Sequence, residues 1–381
     1  MIGRRDQVFP WRAGNRVSLL VDAPQFLHPM LAAIAASKHS VWLEIYLFES
    51  GRVADRIIEA LVAATRRGVR VKALLDDFGA QRLREGDRGQ LRAAGVELTF
   101  FNPIRYWQFT QNFARDHRKL LIVDQRIVFT GGLGFTDEFD PSGDPLCIWR
   151  ETVVRVEGPV VADWAALFVS EWSRQTARHL ETVVSASALE RGVRGRLSVS
   201  QGLISQEIKR NLLKRVRAAS RTVWIATAYF VPSWRVRRAL KRAARRGIDV
   251  RLLLSGPHTD HPGVRHAGRR FYGRLLANGV RIFEYQPRVM HQKVFLCDDW
   301  VSIGSSNLDR WNLRWNLEAN QEIDDPDFAA QVRTMLAADF SDSVECLHEH
   351  WRARPWWQRW REWAWGIVDL WLHRLGRGLR R

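Results

Sequence analysis

The feature that most constrains the fold is an internal repeat. The pattern His-x-Lys-x4-Asp occurs twice, about 170 residues apart, at 117–124 and 291–298. Each spacer is apolar, and a turn of small residues follows each copy. Three further stretches match in the same order: 40–48 with 222–230, 66–71 with 245–250, and 94–103 with 278–287. Four matches at steady offsets predict a duplicated unit of roughly 150–180 residues.

Hydrophobic spacing predicts alternating strands and helices in both halves. In the first half it predicts strands at 18–23, 41–48 and 69–75 and helices at 25–37 and 53–64. In the second half it predicts strands at 196–200, 222–230 and 248–254 and helices at 206–219 and 234–246. Such alternation is typical of α/β layers. The predicted fold class is therefore α/β, with two duplicated domains, each a mixed sheet flanked by helices, related by a pseudo-twofold axis.

Breaks in composition predict the domain boundaries. The run 175–196 lacks clear periodicity and is the expected linker, which places the two domains at 1–180 and 195–348. A tail at 350–381 holds seven of the eighteen tryptophans. We expect this tail to be a third, separate element.

The tail pattern predicts an amphipathic helix. After Pro355, apolar residues recur every three or four positions at Trp356, Trp360, Trp363, Ile367 and Trp371, among the arginines at 352, 354, 359, 361, 374 and 377. Tryptophan favours the lipid headgroup region, and each arginine near an anionic surface adds about 1 kcal/mol of attraction. The hypothesis is contact with a membrane interface; the alternative is packing on the protein's own core or on a dimer partner.

Composition restricts the partners and the compartment. The formal charge of +18 predicts a partner with a negative surface, for which nucleic acid and anionic lipid both qualify. The three cysteines, Cys147, Cys297 and Cys346, form no CxxC pair and predict no disulfide framework. The N-terminus leads into no apolar signal region, and no stretch approaches 18 uncharged apolar residues. We expect a cytosolic protein, peripheral to a membrane if lipid is the partner.

The two motifs suit displacement at a phosphodiester. In a strand, residues i and i+2 project from the same face, so a histidine and a lysine can converge on one ligand. Lys119 and Lys293 can neutralise the charge that grows on phosphate oxygens, so no cofactor is expected. One neutral imidazole can attack phosphorus while the other, protonated, donates to the leaving alkoxide. A metal site is disfavoured because the same lysines would sit beside the cation.

The turns after the motifs predict phosphate contacts. Gly132, Ser305 and Asn307 lie in these turns, where backbone N–H groups, a hydroxyl and an amide can approach phosphate oxygens. The first turn has glycine where the second has Asn307. The first half is therefore expected to contribute less to phosphate binding through side chains.

At these residues the sequence resembles the phospholipase D superfamily, whose mark is two HKD motifs. The closer likeness is to bacterial cardiolipin synthases of the compact type that lacks N-terminal membrane spans. Supporting stretches lie at 149–151, 156–159, 228–232, 304–309 and 316–320, and the resemblance covers roughly 15–345. It implies phospholipase D-like domains at 1–180 and 195–348.

The resemblance implies a role for each motif residue. His117 would be the nucleophile that forms a phosphohistidine, and His291 the general acid and then the general base. Lys119, Lys293 and Asn307 would bind phosphate oxygens. Asp124 and Asp298, the last motif residues, would tie their strands to neighbouring backbone.

Two acids outside the motifs complete the set. Glu151 and Glu318 follow the two histidines by 34 and 27 residues in the sequence. The resemblance implies that acids at such positions orient the imidazoles; the alternative is surface salt bridges.

The implied reaction is transphosphatidylation. A phosphatidyl group would move from phosphatidylglycerol to the hydroxyl of a second phospholipid or alcohol, at an anionic phospholipid membrane on the cytoplasmic side of the bacterial inner membrane. The alternatives are phospholipid hydrolysis and a nuclease on the same scaffold, although nucleic acid is the less favoured partner.

An insertion before the first motif interleaves aromatic and basic residues, at 104–109 and 113–115. Such a segment either contacts the lipid interface and roofs an acyl-chain groove, or is an ordinary buried loop.

Overall fold

The structure is a computed structural model that describes most of the chain. The described residues are 7–105, 111–140, 142–144, 146–178, 180, 188–202, 204–309, 315–357, 360, 362 and 365. Most of the predicted tail helix lies outside them, as do residues 106–110 of the aromatic insertion.

The first half alternates strands and helices as predicted. Its strands are β1 Arg12–Val21, β2 Ser40–Ile45, β3 Arg70–Asp76, β4 Glu97–Phe101, β5 Lys119–Val123, β6 Ile127–Gly131 and β7 Thr152–Glu157. Its helices are α1 Asp22–Ala36, α2 Arg52–Arg66, α3 Glu85–Ala93 and α4 Val161–Thr176, with short 3-10 turns at Gln111–Phe113 and Asp137–Phe139.

The second half repeats this order with additions. Its strands are β8 Val193–Gln201, β9 Thr222–Thr227, β10 Phe230–Val231, β11 Asp249–Ser255, β12 Arg281–Tyr285, β13 Lys293–Cys297, β14 Trp300–Gly304, β15 Leu308–Asp309, β16 Leu317–Asp324 and β17 Ser343–Glu345. Its helices are α5 Glu207–Ala218, α6 Trp234–Arg245, α7 Pro262–Arg269, α8 Tyr272–Leu276, α9 Pro326–Ser341 and α10 His348–Arg352.

The two halves join edge to edge in one mixed sheet of 15 strands. Its order is β17-β12-β11-β9-β13-β14-β16-β8-β1-β7-β6-β5-β2-β3-β4. From β12 to β4 this order is symmetric about the centre of the sheet. Two strands at equal distances from the centre, such as β9 and β2 or β13 and β5, are counterparts in the two halves. The antiparallel pair β1–β8 lies at the centre. This arrangement is the predicted pseudo-twofold relation of a duplicated α/β fold.

Helices cover both faces of the sheet. One apolar cluster joins the halves under the central strands and includes Trp164 and Phe168 of α4 and Phe328 and Leu336 of α9. On the other face, α1 and α2 pack on the first half and α5 and α6 on the second. Because adjacent strand residues point to opposite faces, Trp42 and Leu43 of β2 belong to different clusters.

Two predicted strands end earlier than their apolar runs. The runs 41–48 and 222–230 contain β2 and β9, which stop at Ile45 and Thr227. Beyond these ends, Tyr46, Leu47 and Tyr229 line a cavity between the two halves. The apolar run therefore continues although the pairing with neighbouring strands has ended. In contrast, β1 begins at Arg12, before the predicted position 18, because pairing with β8 rather than hydrophobic alternation holds its polar first residues.

The start of the tail packs on the second half. Trp351 of α10 is buried against α8, with its ring 4.8 Å from that of Tyr272. Glu362 is also buried and pairs with Arg269 at 3.2 Å and with Arg354 at 2.5 Å. Within the described part of the chain, no helix is both long and apolar enough to cross a membrane.

Candidate active site

The two motifs meet at the joint between the halves. The backbone N–H of His117 donates to the carbonyl of Leu317 at 3.0 Å, and that of His291 donates to the carbonyl of Arg150 at 2.9 Å. Each motif histidine is therefore hydrogen-bonded to the residue that precedes a glutamate of the other half. Backbone pairing across the pseudo-twofold axis brings the two histidines to one site.

The glutamates cross between the halves. Nδ1 of His117 lies 3.0 Å from Oε1 and 3.1 Å from Oε2 of Glu318, and Nδ1 of His291 lies 2.8 Å from Oε2 of Glu151. Both carboxylates are fully buried. Sequence spacing did not reveal this exchange, in which each half supplies the partner for the opposite imidazole.

The crossed pairs fix the orientation of the imidazoles. A carboxylate is an acceptor, so the hydrogen-bond network assigns the Nδ1 proton to each neutral ring. Nε2 of each ring is then left for chemistry on the cavity side. Among the described residues, each motif histidine thus has its carboxylate partner in the opposite half.

Both lysines are buried beside the histidines. Nζ of Lys119 donates to the carbonyl of His117 at 2.7 Å, and Nζ of Lys293 donates to the carbonyl of His291. Nζ of Lys293 also lies 3.9 Å from Oε2 of Glu151. The i, i+2 geometry thus places each ammonium on the same face of the strand as its histidine.

Burial shifts the protonation of the whole cluster. It lowers the pKa of Lys119 to about 7 and that of Lys293 to about 8, although carboxylates oppose the shift. It raises the pKa of Glu151 to about 7 and that of Glu318 to about 8, against the lysine charges. Burial therefore brings the pKa values of all four groups close to neutral pH.

The histidines favour their neutral forms. Burial, followed by the charges of Lys119 and Lys293, lowers the pKa of His117. Burial and Lys293 also lower the pKa of His291, while Asp260 acts in the opposite direction. A neutral imidazole is the form required of a nucleophile or a general base.

The small-residue turns hold the glutamates. A Cβ atom on Gly132 would lie 2.2 Å from Oε2 of Glu151, so this carboxylate occupies the space of a side chain. In the second half, the hydroxyl of Ser305 instead donates to Glu318. Asn307 is fully buried and accepts from the backbone N–H of Tyr229 at 3.4 Å. Of these three predicted phosphate ligands, Gly132 lines the cavity described below.

The motif aspartates lie away from the histidines and hold backbone. The carboxylate of Asp124 accepts from the N–H groups of residues 38–40 at 2.7–2.9 Å, and that of Asp298 accepts from those of residues 220–222 at 2.8–2.9 Å. Burial opposes ionisation of both groups, but the backbone donors outweigh it and lower each pKa. Both residues adopt φ of 51°. Each aspartate fixes the loop that leads into β2 or β9.

Buried polar contacts behind the motifs differ between the halves. Arg118, between the first histidine and lysine, pairs with Glu44 at 3.1 Å. Gln292, its counterpart, donates to Asp339 at 2.8 Å, and Asp339 also binds Arg150 at 2.8 Å. All five side chains are buried. Hydrophobic spacing in the sequence does not identify these residues, because their partners are distant in sequence.

A cavity of about 940 Å³ opens onto His117, Lys119 and His291. Aromatic rings line it beside the imidazoles: Tyr46 lies 4.9 Å from the ring of His117, and Trp149 lies 5.0 Å from the ring of His291. Apolar residues of the first half form much of the wall, namely Leu47, Phe78, Ile104, Phe113 and Leu133. Among the described residues, no group of three or more His, Cys, Asp or Glu side chains is arranged to hold a metal ion.

This constellation identifies the class of protein. A duplicated α/β fold with two His–Lys pairs at its joint, each histidine held by a buried carboxylate, defines a phospholipase D-type enzyme. The family described as "Cardiolipin synthase, PLD-like domain" matches residues 30–158 and 212–340. The chain belongs to this family.

Relatives and solved structures agree with this assignment. The chain is 35% identical over 359 residues to cardiolipin synthase B of Shigella flexneri and of Escherichia coli K12, covering 91% of this chain and 86% of each relative. It is 35% identical over 344 residues to cardiolipin synthase A of Pseudomonas putida, covering 89% of this chain and 71% of the relative. The phosphatidylserine synthase of Haemophilus influenzae shares the fold, with a TM-score of 0.75, 13% identity and coverage of 96% and 97%.

Proposed function

We propose that the chain moves a phosphatidyl group from phosphatidylglycerol to the hydroxyl of a second phospholipid, through a phosphohistidine at His117. One observation carries this proposal: two buried histidines, each held by a glutamate of the other half, face one cavity with a lysine beside each. The names of the relatives support the lipid substrate. The phosphodiester chemistry follows from the side chains themselves.

In the first step, Nε2 of His117 attacks phosphorus and a P–N bond forms. The bond from phosphorus to the oxygen of the headgroup glycerol breaks, and His291 gives its Nε2 proton to that oxygen. Binding of an anionic phosphodiester favours the protonated form of His291 despite burial. Lys119 and Lys293 stabilise the charge on the phosphate oxygens in the transition state.

In the second step, the acceptor hydroxyl enters beside His291. The imidazole, now neutral, removes the hydroxyl proton while the oxygen attacks phosphorus and the P–N bond breaks. Glu318 stabilises positive charge on His117 while the adduct exists, and Glu151 does the same for His291 when it carries a proton. Both steps use the same groups, with His291 exchanging the roles of acid and base.

We also propose that the second half docks on an anionic membrane, at the cytoplasmic side of the inner membrane. Trp234 at the start of α6 is 59% exposed, and Trp356 and Trp360 of the tail are 74% and 62% exposed. Beside Trp234, a cleft of about 490 Å³ is lined by cations, namely Arg237, Arg238, Lys241, Arg242, Arg245 and Arg274. Tryptophan with arginine at a surface suits anionic headgroups.

The reaction is tested with purified protein and phosphatidylglycerol vesicles in the presence of a chelator. The proposal predicts cardiolipin and glycerol in equal amounts, and no product with His117→Ala. Phosphatidic acid as the main product would assign hydrolysis instead. DNA cleavage without any lipid product would contradict a lipid substrate altogether.

The docking surface is tested by vesicle sedimentation. Trp351 and Glu362 pack on the protein, so the test variant leaves them unchanged. It changes the exposed residues Trp234, Trp356 and Trp360 to serine. We expect loss of binding to phosphatidylglycerol vesicles. Leu146→Ser is the control, because Leu146 is an exposed apolar residue of the first half. Equal binding by both variants would reject the surface.

A further inference from the structure

The two walls of the active-site cavity differ in chemistry although the backbone is duplicated. Tyr229 and Leu47 both lie two residues beyond matching strands, β9 and β2, and both line the cavity. Asp260 and His261 follow β11 at the same distance at which Gln81 and Arg82 follow β3. The duplication thus places a polar trio in the second half where the first half has Leu47, Gln81 and Arg82.

The trio forms one connected cluster. The hydroxyl of Tyr229 donates to Oδ2 of Asp260, and Nε2 of His261 lies 3.7 Å from the same oxygen. The rings of Tyr229 and His261 are 5.2 Å apart. Among the described residues, none donates a hydrogen bond to Oδ1 of Asp260. The cluster therefore presents an open carboxylate oxygen beside an imidazole.

This cluster adjoins the reacting groups. The ring of Tyr229 lies 6.3 Å from that of His291, and its backbone N–H bonds to Asn307. The side chain of Asp260 is 19% exposed and that of His261 is 61% exposed, so the trio extends from the histidine toward the cavity mouth. A group bound there lies next to the proton donor for the leaving oxygen.

We propose that Tyr229, Asp260 and His261 form a subsite for the hydroxyl groups of a glycerol headgroup, the part of the donor lipid that leaves from the side of His291. The inference rests on the proposed function and adds the residues that select the headgroup. The apolar wall of Leu47, Phe78 and Leu133 receives the diacylglycerol part on the other side of the phosphate.

Hydrogen-bonding chemistry favours hydroxyls over an ammonium headgroup. A hydroxyl both donates and accepts, so a vicinal diol can donate to Asp260 and accept from His261. An ammonium group has three donors and no acceptor, so it can donate to Asp260 but cannot accept from an N–H group of His261. A site that hydrogen-bonds a hydroxyl also rejects analogues that lack it, because its polar groups are then left unpaired.

The test compares two donors with one enzyme. Asp260→Asn is assayed with phosphatidylglycerol and with phosphatidylethanol, whose leaving alcohol needs the same protonation but has no further hydroxyl groups to bind. We expect kcat/KM for glycerol release to fall roughly tenfold or more and release of ethanol to stay within about twofold. Tyr229→Phe should show the same pattern with a smaller loss. Glu49→Gln removes a carboxylate from the opposite wall and should leave the ratio of the two rates unchanged.

Three results would overturn the subsite. Equal loss with both donors would make Asp260 a general structural or catalytic group, and full retention of glycerol release would remove its role. Faster release of ethanolamine than of glycerol from mixed vesicles, sensitive to Asp260→Asn, would assign an ammonium site. If the unaltered enzyme turns over neither donor, the proposed function itself fails, which is a distinct outcome.

Discussion

The two halves share a backbone and differ in what that backbone presents to the cavity. Asp124 and Asp298 bind the same three N–H groups of matching loops, and each half sends a glutamate to the histidine of the other. At other matching positions the halves diverge, as Leu47 and Tyr229 do. The difference teaches that the symmetry is kept where two equivalent imidazoles are held. It is lost on the cavity walls, where we propose that the two sides of the phosphate meet different chemical groups.

The largest expected effect is the loss of activity when the motif histidine of either half is removed. With phosphatidylglycerol, His117→Ala and His291→Ala should each lower kcat by about 10⁴-fold or more, because in the proposed mechanism one imidazole forms the covalent bond and the other moves the proton. Cardiolipin formation per mole of folded protein measures the effect. Activity above about 1% in either variant would contradict the roles given to these groups.

Substitutions of the two crossed glutamates should have similar effects with phosphatidylglycerol and different effects with an activated donor lipid. Glu318→Gln and Glu151→Gln should each lower turnover of phosphatidylglycerol roughly 10²–10⁴-fold, because the imidazole loses its carboxylate partner. With phosphatidyl-p-nitrophenol, the burst of p-nitrophenol should remain in Glu151→Gln, since Glu151 is bonded to His291, the proposed acid, and should be lost in Glu318→Gln. The reverse pattern would show that the histidine roles are exchanged.

The turns after the motifs should differ in tolerance. Gly132→Ala places a Cβ atom 2.2 Å from Oε2 of Glu151 and should lower kcat roughly 10–100-fold. Ser305→Ala removes a hydrogen bond to Glu318 without adding an atom and should cost about tenfold or less. Steady-state rates on vesicles measure both variants. Equal losses would mean that Gly132 is not required for the position of Glu151.

The lysines should set a basic limb in the pH profile. Because burial lowers the pKa of Lys119 to about 7 and that of Lys293 to about 8, both ammonium groups lose their protons as pH rises through this range. We therefore expect kcat/KM to fall above about pH 7–8 and kcat to fall at higher pH, since a bound phosphodiester favours the ammonium form. A kcat/KM that stays constant to pH 10 would contradict this protonation scheme.

The smallest effect should be the same in both halves. Asp124→Asn and Asp298→Asn weaken charge-assisted bonds to loop N–H groups and should each cost about 1–2 kcal/mol of stability, seen as a lower melting temperature. Both carboxyl groups have a lowered pKa, so this stability is present above their unfolded pKa and is lost as pH falls through the folded value. Loss of activity at unchanged stability would instead place the aspartates in the chemistry.

The sequence predicts the features that depend on internal repeats and on the alternation of apolar and polar residues. The duplication, the α/β order and the shared face of histidine and lysine all follow from local spacing. The crossing of Glu151 and Glu318 did not, because it depends on how the halves pair through β1 and β8. Arg118 and Gln292 occupy the unspecified position between histidine and lysine in each motif. Their contacts with Glu44 and Asp339, which are distant in sequence, are visible only in the folded chain. Asp260 and His261 lie in a loop whose position relative to His291 no periodicity predicts.

We propose that the two equivalent histidines hold different roles in one site. The most direct measurement uses His291→Ala incubated with phosphatidyl-p-nitrophenol, quenched, and mapped by peptide mass spectrometry. We expect one phosphatidyl group per chain, on His117, because the activated donor needs no acid and the missing base slows release of the adduct. An adduct on any other residue, or turnover without an adduct, would contradict it.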